Sequence, residues 1–175
     1  MASTEISTAN EKIYESSSDL IIVQNKATVE KLYKALSQGL ALETVADLVA
    51  TDLEYWFHGP PRCHHMMRVL TGESQADSVP FRFEPRSVTP IGGACVIAEG
   101  WEGAKAYWVH VWTVKDGVIT QFREYFNTWL TVSDLQSPAV NGWDVSTGHR
   151  SLSTVWQSMP RDLFRRSLPS LLLAI

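Results

Sequence analysis

The dipeptide Asp116-Gly117, set between two strand-like runs, constrains this chain more than any other local feature. A two-residue hairpin turn needs positive φ at both central positions, and Asp-Gly supplies it at low steric cost. The turn sets the pairing of the runs 106–114 and 118–130. With Lys115 opposite Val118, His110 falls opposite Arg123, Trp108 opposite Tyr125 and Ala106 opposite Asn127. One face then carries Trp108, His110, Trp112, Val114, Ile119, Arg123, Tyr125 and Asn127, aromatics mixed with a few polar groups, the usual lining of a ligand pocket. The other carries Tyr107, Val109, Val111, Thr113, Val118, Thr120, Phe122, Glu124 and Phe126. It is mostly apolar and needs a cover, which points to a second copy of the chain and a homodimer.

Upstream the period changes. Val29, Leu32, Tyr33 and Leu36 recur at helical spacing between Asn25 and Gly39, and Leu42, Val45, Ala46 and Val49 repeat the pattern. Leu53 to His58 is aromatic and strand-like, and Gly59-Pro60-Pro61 ends it. Cys63 to Leu70 reads as a third helix. Strands are then expected where Val79, Phe81 and Phe83 alternate with Pro80, Arg82 and Glu84, and over Ala94 to Ala98. Three helices followed by a long antiparallel meander predict an α+β domain. Residues 1–18 are polar and aperiodic and read as a disordered lead-in, 19–135 as the domain, and 136–175 as a C-terminal extension packed on or beside it.

Composition narrows the function classes. Lys plus Arg number 15 against 19 Asp plus Glu, a net charge of −4, which argues against binding nucleic acid through a broad basic surface. Only Cys63 and Cys95 are present, too few for a disulfide scaffold, so a reducing, cytoplasmic setting is expected. No run approaches the roughly 18 apolar residues of a membrane span. Cys63, His64 and His65 invite a metal, but adjacent histidines on a helix point about 100° apart and no further ligand follows at metal spacing, so no metal is expected. Gly92-Gly93 opens no helix and reads as a turn, not a phosphate cradle. Arg161, Arg165 and Arg166 form a basic patch, either a solvated surface or a handle for an acidic partner.

The run Asp52-Leu53-Glu54-Tyr55-Trp56-Phe57-His58-Gly59-Pro60, with Asp116-Gly117-Val118-Ile119 and Arg123-Glu124-Tyr125-Phe126-Asn127 after the helices, resembles the nuclear transport factor 2-like superfamily. That superfamily includes SnoaL-like polyketide cyclases, ketosteroid isomerase, scytalone dehydratase and limonene epoxide hydrolase. Tyr55 to Pro61, Met67-Arg68-Val69-Leu70-Thr71-Gly72 and the ending Pro169 to Ile175 are similar to its plant wound-induced, senescence-associated branch. The resemblance implies a cone, a curved sheet closed by the helices around an internal pocket, acting without a cofactor. It places the candidate catalytic residues at His58 and His110. The candidate ligand-binding residues are Tyr55, Trp56, Trp108, Trp112, Arg123, Tyr125 and Asn127. Asn127 stands where the pattern commonly has Asp, and an amide takes up no proton. Each residue has a plainer reading: the histidines as hydrogen-bonded core, Arg123 as an ion pair with Glu99 or Glu102, the tryptophans as core and wall. The function implied is a stress-responsive pocket protein for a small hydrophobic metabolite, with acid–base isomerase or cyclase chemistry. The alternative is a non-catalytic accessory protein that assists a biosynthetic-enzyme partner.

Overall fold

The structure is a computed structural model that describes residues 3–39, 42–73, 81–103, 106–134, 153–160 and 168–175, with side chains from residue 17 onward except that of Leu42. The chain opens with helix α1 (Ser3–Ser37) and a short α2 (Leu42–Ala46). Val29, Leu32 and Tyr33 are buried along the stripe that their spacing predicts, and Gly39, at φ 60°, ends the turn beyond the helix. The helix begins well before that stripe, so the segment expected as a disordered lead-in is helical from Ser3. Leu20 and Val23, ahead of the stripe, are exposed.

Strand β1 (Val49–His58) follows, and Gly59-Pro60-Pro61 turns the chain into α3 (His65–Thr71), which Gly72 ends at φ 72°. Then come β2 (Pro85–Ile91), β3 (Cys95–Glu102), β4 (Ala106–Lys115) and β5 (Val118–Phe126). These strands form one sheet in the order β1-β5-β4-β3-β2. β1 runs parallel to β5, so the sheet is mixed, not the antiparallel meander expected. The strand predicted at Val79–Glu84 is displaced: residues 81–84 are irregular, 79 and 80 lie outside the described residues, and the strand starts at Pro85. Pro85 and Pro90 lack the N–H a central strand needs; both fit β2 because it is an edge.

Asp116 and Gly117 have φ of 52° and 79°, the expected hairpin turn. Lys115 pairs with Val118 and Val114 with Ile119, but Thr113 then pairs with Gln121. Thr120 is thus an extra residue, a bulge, and every partner beyond it shifts by one. His110 lies opposite Glu124, not Arg123, and Trp108 opposite Phe126, not Tyr125. The two-face sorting from the sequence is therefore wrong for β5 beyond the bulge. Phe122, Glu124 and Phe126 join Trp108, His110 and Trp112 on the inner face, under α1, α2 and α3. Arg123 and Tyr125 face outward.

β5 ends at Asn127, whose φ of 51° breaks the run expected to continue to Leu130. A second sheet follows, β6 (Trp129–Asp134), β7 (Ser153–Gln157) and β8 (Ser170–Ala174), in the order β7-β6-β8. Leu130 and Val132 from β6, with Trp156 and Leu173, pack on Ile97, Tyr107, Val109, Val111 and Tyr125 of the outer face. The face that seemed to require a second copy is covered by the chain's own C-terminal strands. The basic patch Arg161, Arg165 and Arg166 lies outside the described residues.

Candidate functional site

A line of polar side chains runs through the aromatic interior. Trp112 Nε1 donates to the Tyr33 oxygen at 3.0 Å, and that hydroxyl lies 2.7 Å from His110 Nδ1. An indole N–H only donates, so Tyr33 uses its own proton on Nδ1 and the His110 proton sits on Nε2. That nitrogen faces Glu124 Oε1 at 3.4 Å, and no hydrogen bond satisfies either atom. Glu124 Oε2 accepts from Tyr55 Oη at 2.9 Å, and Tyr55 lies 3.2 Å from His64 Nδ1. The elements that aim these groups are few: Tyr33 rides the buried stripe of α1, His110 and Glu124 face each other across the β4–β5 ladder, and Tyr55 points inward from β1.

The environment sets the protonation states. His110 and Glu124 are fully buried. Burial pulls the His110 pKa below 6.5, against the opposing pull of Glu124, so the imidazole is held neutral. Burial, reinforced by the Glu124 charge, raises both Tyr33 and Tyr55, so both phenols stay protonated. Around the pair stand Trp108, with its ring centre 4.5 Å from that of His110, Phe83 at 4.9 Å and Phe122 at 5.0 Å. Trp108 Nε1 is also buried without a partner. A carboxylate oxygen, an imidazole N–H and an indole N–H are therefore left with unused hydrogen-bonding capacity in an apolar shell. Such capacity suits a ligand oxygen. From outside, a crevice of about 430 Å³ between α1 and β2 reaches Tyr33 and Phe83, the wall of this interior.

The sequence-predicted residues divide between two faces. Tyr55, Trp108, His110 and Trp112 meet on the inner side. Trp56 and His58 point outward from β1, where Arg123 lies 5.1 Å from the Trp56 ring centre and His58 stacks on Tyr125 at 4.8 Å. His58 and His110 therefore do not share a pocket. Asn127 belongs to neither group: its Oδ1 accepts from the Tyr107 N–H at 2.9 Å and its own N–H donates to the Tyr107 carbonyl at 2.7 Å. Arg123 does not pair with Glu99 or Glu102; Glu99 is engaged by Arg86 at 2.7 Å. His110, expected opposite Arg123, has Glu124 as its charged neighbour instead. Tyr33, His64 and Glu124 were missed. Glu124 sat in plain view in Arg-Glu-Tyr-Phe, but without the bulge it counted to the wrong face. His64 and His65 diverge, one to Tyr55 and the other onto Phe81, stacked at 4.5 Å.

The profile of a family described as wound-induced protein WI12 matches residues 67–175, more than half of the chain. The chain belongs to the wound-induced protein WI12 family. Wound-induced protein 1 of Solanum tuberosum is 38% identical over 110 residues, 62% of this chain and 100% of that protein. Senescence associated gene 20 of Arabidopsis thaliana is 42% identical over 118 residues, 62% of this chain and 100% of that protein. Among solved structures, Bal32a from a soil-derived mobile gene cassette aligns with a TM-score of 0.48 at 20% identity, covering 61% of this chain and 91% of that one. The WI12 match spans His110, Arg123 and Glu124, while Tyr33, Tyr55, Trp56 and His58 precede it. Among the described residues of this WI12 protein, no helix is long and apolar enough to cross a membrane.

Proposed function

We propose that this wound-induced family member takes a small, largely apolar, carbonyl-bearing metabolite into the cone, with the His110–Glu124 pair as its polar end. One observation carries the reading: His110 Nε2 and Glu124 Oε1 lie 3.4 Å apart, fully buried, with no hydrogen bond to satisfy either. A neutral imidazole N–H is a donor for a carbonyl oxygen, and a carboxylate in an apolar shell is a base for the carbon beside it. Glu124 removes a proton from that carbon while His110 hydrogen-bonds the developing enolate oxygen. Glu124 then returns the same proton to another carbon of the conjugated system. The result is an isomerisation that consumes nothing and needs no cofactor. The ligand enters along the α1–β2 crevice, past Tyr33 and Phe83.

The test is native mass spectrometry of the full-length protein purified from plant tissue, before and after denaturation. A small molecule retained by the native protein, released on denaturation and absent from Glu124→Gln supports the reading. Equal retention by Glu124→Gln overturns it. A second reading, a non-catalytic accessory protein, draws on the close filling of the cone, where Trp108, His110, Trp112 and Phe122 are all fully buried. That reading gains if the native protein instead carries a stoichiometric protein partner and no small molecule.

A further inference from the structure

We propose that the groove on the outer side of the sheet is a second binding site, for a small planar carboxylate whose anionic end is held by Arg123. The groove has a volume of about 330 Å³, within the range of small-molecule sites, and lies between the outward residues of β1 and β5 and the leucines of β8. Trp56, His58, Arg123 and Tyr125 form one wall; Leu130 and Leu172 stand on the other.

Charge decides the class of ligand. No carboxylate lies among the residues that line the groove, and Arg123 has no acidic partner among the described residues. Its guanidinium instead lies against the half-open Trp56 ring, 5.1 Å from the ring centre. The guanidinium also donates a hydrogen bond to the Tyr125 hydroxyl beside it, and its remaining N–H groups match the oxygens of a carboxylate. A phosphate dianion suits the site less, because Arg123 is joined only by leucines and by rings. Shape decides the rest. His58 and Tyr125 stack at 4.8 Å with planes 6° apart, a flat surface, and the leucines opposite favour an apolar body. Leu172 is 60% exposed, so the wall is open on one side for entry. The site is separate from the His110–Glu124 pair, which lies on the other face of β5.

The experiment is calorimetric titration of the full-length protein with 2-naphthoate, and with 2-naphthamide as the uncharged counterpart, alongside NMR of the Trp56 indole N–H. The expected result is stoichiometric binding of naphthoate, at least tenfold tighter than the amide, weakened by salt, with the Trp56 signal shifted. Arg123→Met, which keeps the stem over Trp56, loses at least tenfold in affinity. So does Leu172→Glu, an exposed position where the change places a repelling charge without touching the core. Glu124→Gln binds naphthoate as the wild type does. The proposal is overturned if naphthoate does not bind, if the amide binds equally well, or if both Leu172→Glu and a folded Arg123→Met bind like wild type. It is also overturned if sedimentation shows that a second copy fills the groove, as a dimer that either variant dissociates and naphthoate leaves intact.

Discussion

Arg123 and Glu124 are neighbours in β5, yet they serve opposite faces of one sheet: Glu124 Oε1 lies 3.4 Å from His110 Nε2 inside, and Arg123 lies 5.1 Å from the Trp56 ring centre outside. Strand alternation makes this inevitable for adjacent residues. What decides which of them goes in is the bulge at Thr120. The strand therefore carries an acidic inner group and a basic outer one, and their effects on stability differ.

Glu124 is buried beside a neutral imidazole and accepts a hydrogen bond from the Tyr55 hydroxyl. A carboxylate so placed keeps a desolvation penalty that one phenol does not offset. Glu124→Gln retains the shape and removes the charge, with the amide oxygen turned to the His110 N–H and the NH₂ to the Tyr55 oxygen. The melting temperature should rise by about 2–4 °C, the equivalent of about 1 kcal/mol at this chain length. Calorimetry at pH 7 checks it, and a lower melting temperature would show that the charge is better compensated than its contacts indicate.

Acid should weaken the fold through His110. Its folded pKa lies below 6.5, so in the window beneath 6.5 the unfolded chain binds a proton that the folded chain does not. Its contribution is fully present above the unfolded value and is lost as pH falls through the window. His65, also lowered, chiefly by burial, acts in the same direction. Melts between pH 5 and 8 should show stability falling on acidification, and His110→Gln should flatten that slope while leaving the His65 share. An unchanged slope in the variant would place the acid sensitivity elsewhere.

The local devices were legible in the sequence. The stripe Val29, Leu32, Tyr33 and Leu36 marks a buried helix face because a helix repeats every 3.6 residues, and Asp116-Gly117 marks its turn because few dipeptides accept two positive φ values. The bulge was not legible. Nothing in Val118-Ile119-Thr120-Gln121 demands an unusual backbone, so the extra residue comes from sheet curvature and packing, not from local propensity. That one residue moved Glu124 into the candidate site and took Arg123, Tyr125 and Asn127 out of it. The cover of the outer face was hidden for another reason. β8 pairs in parallel with β6 across a long stretch of chain, and local patterning carries no information about such distant partners.

Glu99 fastens that distant cover. Its carboxylate accepts from Arg86 at 2.7 Å, from the Ser87 hydroxyl at 3.1 Å, from the Tyr107 hydroxyl and from the Met159 N–H at 3.4 Å. Arg86 also donates to the Met159 carbonyl at 2.6 Å, which completes the clasp on the segment after β7. Glu99→Gln removes the charge and turns an NH₂ toward groups that are themselves donors. A loss of about 1.5–3 kcal/mol is expected, the range for hydrogen bonds to charged groups. Hydrogen exchange should quicken at residues 153–159 more than in β4, and uniform exchange would argue against a clasp.

Gly100 leaves room for Trp108. A Cβ at this position would run into the Trp108 ring and stand 2.7 Å from the Glu84 carbonyl oxygen. Trp108 is fully buried against His110, so it has nowhere to retreat, and backbone oxygen yields little. Gly100→Ala should destabilise by about 1–3 kcal/mol through overpacking. The near-ultraviolet circular dichroism of the tryptophans should change with it, and a wild-type spectrum and melt would mean that the interior is looser than its contacts.

Asn127 gives the sharpest test of a structural against a chemical role. It sits at φ 51°, where a side chain with a local hydrogen bond is tolerated, and it closes a two-bond clasp with Tyr107 through Oδ1 and its own N–H. Asn127→Asp keeps the acceptor and the tolerance for this backbone, so the melting temperature should stay close to that of the wild type. Asn127→Gly keeps only the backbone freedom and should lose about 0.5–1.5 kcal/mol, the worth of one hydrogen bond. Asn127→Ala loses the bond and adds left-handed strain of about 1 kcal/mol or more, so it should be the least stable. The order Asp, Gly, Ala in thermal melts follows from geometry alone. Were Asp the most disruptive of the three, the carboxylate would be meeting a neighbour other than the Tyr107 N–H, and the site at this end of β5 would need to be redrawn around it.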